Sequence, residues 1–118
     1  MATAQTEIAP ELRPVLLFYI PCPDKACAQS LAEVLLKEKL IGCANILPNM
    51  ESHYWWQGQL EQSSEHVLVL KTLERPGLQE KLSRRIEELH PYDIPCVMVL
   101  PILGINESYK KWLEESMK

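Results

Sequence analysis

An α+β fold is predicted for this chain, with elements in the order β-α-β-β-α-β and one further helix at the end. Three observations carry that expectation. Apolar residues recur at helical spacing in separate segments, prolines punctuate the boundaries between segments, and two long strand-like arms reverse near Gly58.

Pro14 precedes the run from Val15 to Ile20, a short strand closed by Pro21 and Pro23. Asp24 then suits the N-cap of a helix running to about Lys39, with Ala28, Leu31 and Leu35 on one side and Gln29, Glu33 and Lys37 on the other. Gly42 ends that unit. Cys43 to Leu47 begins a second strand, which Pro48-Asn49 is expected to interrupt.

The hairpin from Ser52 to Thr72 follows, with Trp55 and Trp56 near its tip. At ~3.3 Å per residue, its arm from Gln59 to Thr72 spans roughly 45 Å. A folded chain of this size has a radius of gyration of only ~13 Å. A hairpin that overshoots its own core needs another surface to pack on.

Arg75-Pro76-Gly77 reads as a turn that opens a second helix. Leu78, Leu82, Ile86 and Leu89 mark its apolar stripe, and His90-Pro91 stops it, because proline disfavours the α conformation in the residue before it. Cys96 to Leu100 is the fourth strand, between Pro95 and Pro101. Asn106 caps a short last helix whose Tyr109, Trp112, Leu113 and Met117 share one side and read as core.

This order is the ferredoxin-like split βαβ arrangement, in which the first and third strands are central and helices cover one face. The first strand is nevertheless apolar on both faces, with Leu16, Phe18 and Ile20 on one and Val15, Leu17 and Tyr19 on the other. The fourth repeats this with Cys96, Met98 and Leu100 against Val97 and Val99. A sheet with one wet face should alternate. At ~25 cal/mol per Å², leaving such a face in water forgoes several kcal/mol. The open face is therefore expected to be covered by another subunit.

The 118 residues make one domain, 14–118, after a flexible N-terminal segment, 1–13. A net charge of −4 leaves no basic footprint, so no nucleic-acid partner is expected. RNA-recognition modules share the element order but need a glycine-aromatic motif on the third strand, which here is acidic and lacks one. No stretch approaches ~20 consecutive apolar residues, so no membrane partner is expected, and the N-terminal residues lack a secretory pattern. The expected location is cytoplasmic.

Cys22, Cys27, Cys43 and Cys96 form no Cys-x-x-Cys pair and no zinc spacing, so they read as reduced thiols in or near the core. Cys22 stands apart, in a proline-flanked loop where a thiol can be reached. Signatures of nucleotide, phosphate and metalloprotease sites are absent, so neither a catalytic residue nor an organic cofactor is expected. Glu65 and Lys71 flank Val67 and Val69 on one face of the third strand, where a solvated or ion-paired sheet end is the plain alternative. For His90 the plain alternative is a cation at a helix C-terminus.

Taken together, Pro23-Asp24, Leu40 to Asn45, Tyr54 with Trp56 and Gly58, Glu65 with Lys71-Thr72, His90-Pro91-Tyr92 before Pro95, and Tyr109 with Trp112 resemble the CutA family of divalent-cation tolerance proteins. The resemblance runs from Val15 to Leu113. It implies a ferredoxin-like homotrimer whose long hairpins reach onto neighbouring subunits, tied to tolerance of copper and other divalent metal ions. Its architecture is similar to that of P-II signalling proteins. It also implies an inter-subunit cleft at Trp56, Glu65, Lys71, His90 and Tyr92.

Some bacterial members place a cysteine at the end of the first strand and two histidines before Pro-Tyr, proposed as copper ligands. Ile20, Leu89 and His90 stand at those positions here, and Cys96 replaces a usual glutamate after Pro95. Cys22, His90 and Cys96 are the substitute set for copper or another divalent cation, since soft thiolate and imidazole donors favour copper. Two other readings use the same cleft: a small enzyme with His90 or Glu65 as acid-base group, and a P-II-like small-molecule sensor. Plain scaffolding is a further one.

Overall fold

A computed structural model describes residues 14–118. The expected flexible segment 1–13 lies outside the described residues. The elements are β1 (Val15–Cys22), α1 (Lys25–Lys37), β2 (Cys43–Trp56), β3 (Gln59–Leu73), α2 (Leu78–Leu89), β4 (Met98–Ile102) and α3 (Glu107–Ser116). The sheet order is β2-β3-β1-β4, with every neighbouring pair antiparallel. Each helix crossover thus joins two strands separated by a third, which is the ferredoxin-like topology. No helix among the described residues is long and apolar enough to cross a membrane.

Local chemistry explains most boundaries. The Asp24 carboxylate accepts from the Cys27 N–H at 2.8 Å and caps α1, which ends at Lys37, two residues short of the expectation. β1 continues through Pro21 to Cys22, because β4 pairs with β1 only as far as Tyr19 opposite Met98. Past that point β1 has a free edge, where a proline lacking its N–H is tolerated. Cys22 therefore belongs to a strand and not to a reachable loop.

Pro48-Asn49 does not break β2. Leu47 pairs with Val67 and Met50 with Glu65, so two residues oppose His66 alone, a β-bulge in an edge strand. Asn49 takes the left-handed conformation at φ 62°, which asparagine tolerates. The hairpin reverses through Gln57 (φ 48°) and Gly58 (φ 78°), the two positive φ values of the tight turn that matches strand twist. The long axis of the molecule reaches 47 Å and the radius of gyration 15.8 Å, above the ~13 Å of a rounder chain of this size.

The core lies between α1, α2 and one sheet face, where Phe18, Ile20, Leu35, Leu68, Leu70, Leu82 and Ile86 are fully buried. Burying each contributes roughly 1.5–3 kcal/mol. Arg85 forks onto Glu38 at 3.0 and 2.7 Å and ties α2 to the end of α1.

A second cluster joins Leu113 of α3 and Met117, its C-cap, to Val15 and Leu73, at one end of the opposite face. Trp112, expected in the core with them, is 49% exposed, and Tyr109 is half-buried, because α3 covers only that end. The fourth strand begins at Met98, so Cys96 precedes it and Pro101 lies inside it on a sheet edge. Beyond α3 the open face keeps Leu17, Tyr19 and Val69 half-buried, with Met98 and Leu100 exposed.

Gly42 donates its N–H to the Lys71 carbonyl at 3.0 Å and lets α3 dock. A Cβ there would collide with Leu113 Cδ1 and stand 3.2 Å from Met117 Cγ. Gly42→Ala should cost about 1–3 kcal/mol in urea denaturation. Gly104→Ala, with nothing within 4 Å of its new Cβ, should stay within ~0.5 kcal/mol of the parent.

Candidate functional site

A cleft of about 560 Å³ opens where the hairpin leaves the sheet, facing the loop between α2 and β4. Its aromatic walls are Tyr54, Trp56 and Tyr92, its acidic groups Glu65 and Asp93, and Pro21, Pro91, Ile94 and Cys96 complete it. Strand parity explains the hairpin's share. Tyr54 and Trp56 alternate with outward-facing neighbours on β2, and the pairing of Met50 with Glu65 puts them on the Glu65 face. The loop supplies the rest, because His90-Pro91 ends α2 and turns the chain back across the end of β1.

Glu65 is 7% exposed, and its Oε2 accepts from the Tyr92 hydroxyl at 2.8 Å. A buried carboxylate needs such a partner. Burial, and then the Glu65 carboxylate, raise the Tyr92 phenol well above the ordinary tyrosine range, so it stays a donor. Tyr92 also stands against the His90 ring, with centroids 4.7 Å apart.

His90 lies behind this wall and does not line the cleft. It is 6% exposed, its Nδ1 accepts from the Tyr92 N–H at 3.2 Å, and its Nε2 lies 2.9 Å from the Pro21 carbonyl oxygen. A backbone N–H on one nitrogen and a carbonyl on the other dictate the neutral tautomer with the proton on Nε2. His90 is thus neither an exposed helix-end cation nor a free imidazole ligand.

Of the five residues expected in an inter-subunit cleft, one chain by itself brings Trp56, Glu65 and Tyr92 together, with His90 in support. Within the same chain Lys71 stands apart from them. It lies six residues along β3 from Glu65, roughly 20 Å away at strand spacing. Its Nζ donates to the Tyr109 hydroxyl at 3.3 Å and stands 5.1 Å from that ring's centroid. Sequence reasoning did not place Tyr54, Asp93 and Ile94 in the cleft. The alternation from Trp56 back to Tyr54 was a signal for the first, and adjacency to the polar His90-Pro91-Tyr92 run for the second; nothing marked Ile94.

The expected set of Cys22, His90 and Cys96 does not converge as metal donors. Cys22 is completely buried within the helix-side core, its thiol directed at the Ile20 carbonyl oxygen at 3.7 Å. Burial first, then the neighbouring Cys27, push its pKa up to about 12. His90 has both nitrogens engaged, and only Cys96 reaches the cleft. Among the described residues, no three His, Cys, Asp or Glu side chains are grouped to hold a metal ion. In native protein, maleimide should label the half-buried Cys27, Cys43 and Cys96 first. Cys22 should react about a hundredfold more slowly, as mass spectrometry of timed digests would read.

The family model of the CutA1 divalent ion tolerance protein matches residues 16–116. The divalent-cation tolerance protein CutA of Pyrococcus horikoshii is 41% identical over 104 residues, covering 88% of this chain and 99% of that protein. The chloroplastic CutA 1 protein of Oryza sativa is 37% identical over 117 residues; the chain spans 99% of its own length but 65% of that relative's. Among solved structures, the divalent ion tolerance protein CutA1 of Ehrlichia chaffeensis superposes with a TM-score of 0.84 at 28% identity, over 91% of this chain and 98% of that one. CutA1 of Oryza sativa gives 0.82 at 38% identity, over 89% and 94%. The fold, the order of its motifs and these matches agree: this chain belongs to the CutA1 divalent-ion tolerance family.

Proposed function

We propose that the chain works as a homotrimeric metal-ion response protein, a binding or regulatory module and not a catalyst, with copper among the cations it answers to. The observation that carries the assembly is the uncovered sheet face. Leu17, Tyr19, Val69, Met98 and Leu100 form an apolar surface that α3 leaves open, and a contiguous patch of this kind marks an interface. The hairpin adds Trp55 and Leu60, 73% and 68% exposed, on its other face. Four unpaired cysteines fit the reducing interior of a cell.

A non-catalytic role is supported by the state of the acid-base candidates. Glu65 is bonded to Tyr92, and His90 is bonded at both nitrogens. The metal response is supported by family membership. Of the residues that line the cleft, Cys96, Asp93 and Glu65 carry donor atoms, with the Cys96 thiol the soft one.

A second reading, a small-molecule sensor using the same cleft, is favoured by one observation. The cleft is walled by three aromatic rings and two prolines and lacks a converging set of metal donors.

Sedimentation equilibrium should give about three times the 13.6 kDa chain mass, and Leu100→Glu should shift it towards one chain. A single-chain mass for the parent removes the trimer. Calorimetric titration should show copper binding near one ion per chain, weakened about tenfold or more in Cys96→Ser and absent for Mg(II). Unchanged copper binding in that variant takes Cys96 out of the site.

A further inference from the structure

The cleft carries a chemical preference of its own. Glu65 brings a carboxylate that is 7% exposed and accepts from the Tyr92 hydroxyl at Oε2. Asp93 adds a second acidic group, and none of the lining residues is Lys, Arg or His. Lys71, the cation nearest in sequence on this sheet face, is held on Tyr109 at the far end of the strand. An anionic ligand would therefore enter against two carboxylates without a countercharge. A bare divalent ion would find no three-donor group, and a neutral apolar ligand would desolvate Glu65 without compensation.

A cation with an apolar jacket meets none of these costs. Tyr54, Trp56 and Tyr92 offer aromatic surfaces that attract a diffuse positive charge, and Trp is the strongest of the three. Pro21, Pro91 and Ile94 accept its methyl or methylene groups. The volume of about 560 Å³ suits a small metabolite.

We propose that this cleft binds an organic ammonium cation, with Glu65 as its countercharge and Trp56 and Tyr92 as its aromatic walls; this rests on the reading of the cleft as a small-molecule site. Such a ligand joins the outer hairpin to the α2–β4 loop, so its binding braces the hairpin against the body of the domain.

The test is calorimetric titration of the full chain with three probes of similar shape: tetramethylammonium, neutral neopentyl alcohol and anionic pivalate. Tetramethylammonium should bind saturably, and the other two at least about tenfold more weakly. Glu65→Gln keeps an acceptor for the Tyr92 hydroxyl and removes the charge. It should weaken tetramethylammonium about tenfold with the mass and urea midpoint unchanged. Trp56→Leu, at an exposed hairpin position, should weaken it comparably. Equal or tighter binding of the alcohol or pivalate, or unchanged affinity in Glu65→Gln, overturns the cation preference and leaves the small-molecule reading standing. Failure of all three probes to bind removes both.

Discussion

Strand β3 pairs with β1 only over His66 to Leu73, while its ladder with β2 runs on to Gln59. The inner half of β3 is thereby central and buried beneath α1 and α2, with Leu68 and Leu70 at full burial. The outer half has one partner strand and no helix. A two-stranded ribbon standing alone is marginal in water. That constraint shapes what surrounds it. The bulge at Pro48-Asn49 sits where β3 loses β1, and a bulge bends and twists a ladder. The loop after α2 closes against the same junction, and the cleft is the space left between them.

The same constraint bears on assembly. Apolar side chains at the outer hairpin, Trp55 and Leu60, have no place in the chain's own core. Neither do Met98 and Leu100 on the sheet. A shorter β3 would leave an open-faced sheet alone; a longer α3 would cover it. The actual lengths leave two separate apolar surfaces, one on the sheet and one on the ribbon. A ribbon of one copy lying on the sheet of the next satisfies both, and a head-to-tail contact of this kind closes into a ring when the rotation permits.

Apolar periodicity and proline placement carried most of the fold into view from the sequence. Leu78, Leu82 and Ile86 lie buried on one stripe, and Val15 to Ile20 form a central strand. The errors have physical sources. Val97 packs against the core without belonging to a strand, so an apolar run beginning at Cys96 is indistinguishable from a strand by composition alone. Pro48-Asn49 looks like a break, yet on an edge strand it becomes a bulge and the ladder resumes. For the cleft, alternation placed Glu65 and Lys71 on one face correctly. It said nothing of the strand length between them, which puts them at opposite ends. The copper set failed for another reason: burial and hydrogen bonding of Cys22 and His90 depend on what packs behind them, and that is tertiary information.

His90 shows how a residue can matter to a site it does not line. Its Nε2 side is bonded to Pro21 at the end of β1, and its Nδ1 accepts from the backbone of Tyr92. Tyr92 in turn donates its hydroxyl to Glu65 on β3. One buried imidazole therefore ties β1, the exit of α2 and the middle of β3 into a chain of hydrogen bonds that fixes the cleft's wall. A metal ion taking either nitrogen would have to break one of these bonds and leave a backbone group buried without its partner. That penalty is about 1–3 kcal/mol before any rearrangement of Tyr92. The imidazole is better placed to hold the wall than to hold an ion, and the side chains that face the cleft in front of it are Glu65, Trp56 and Tyr92.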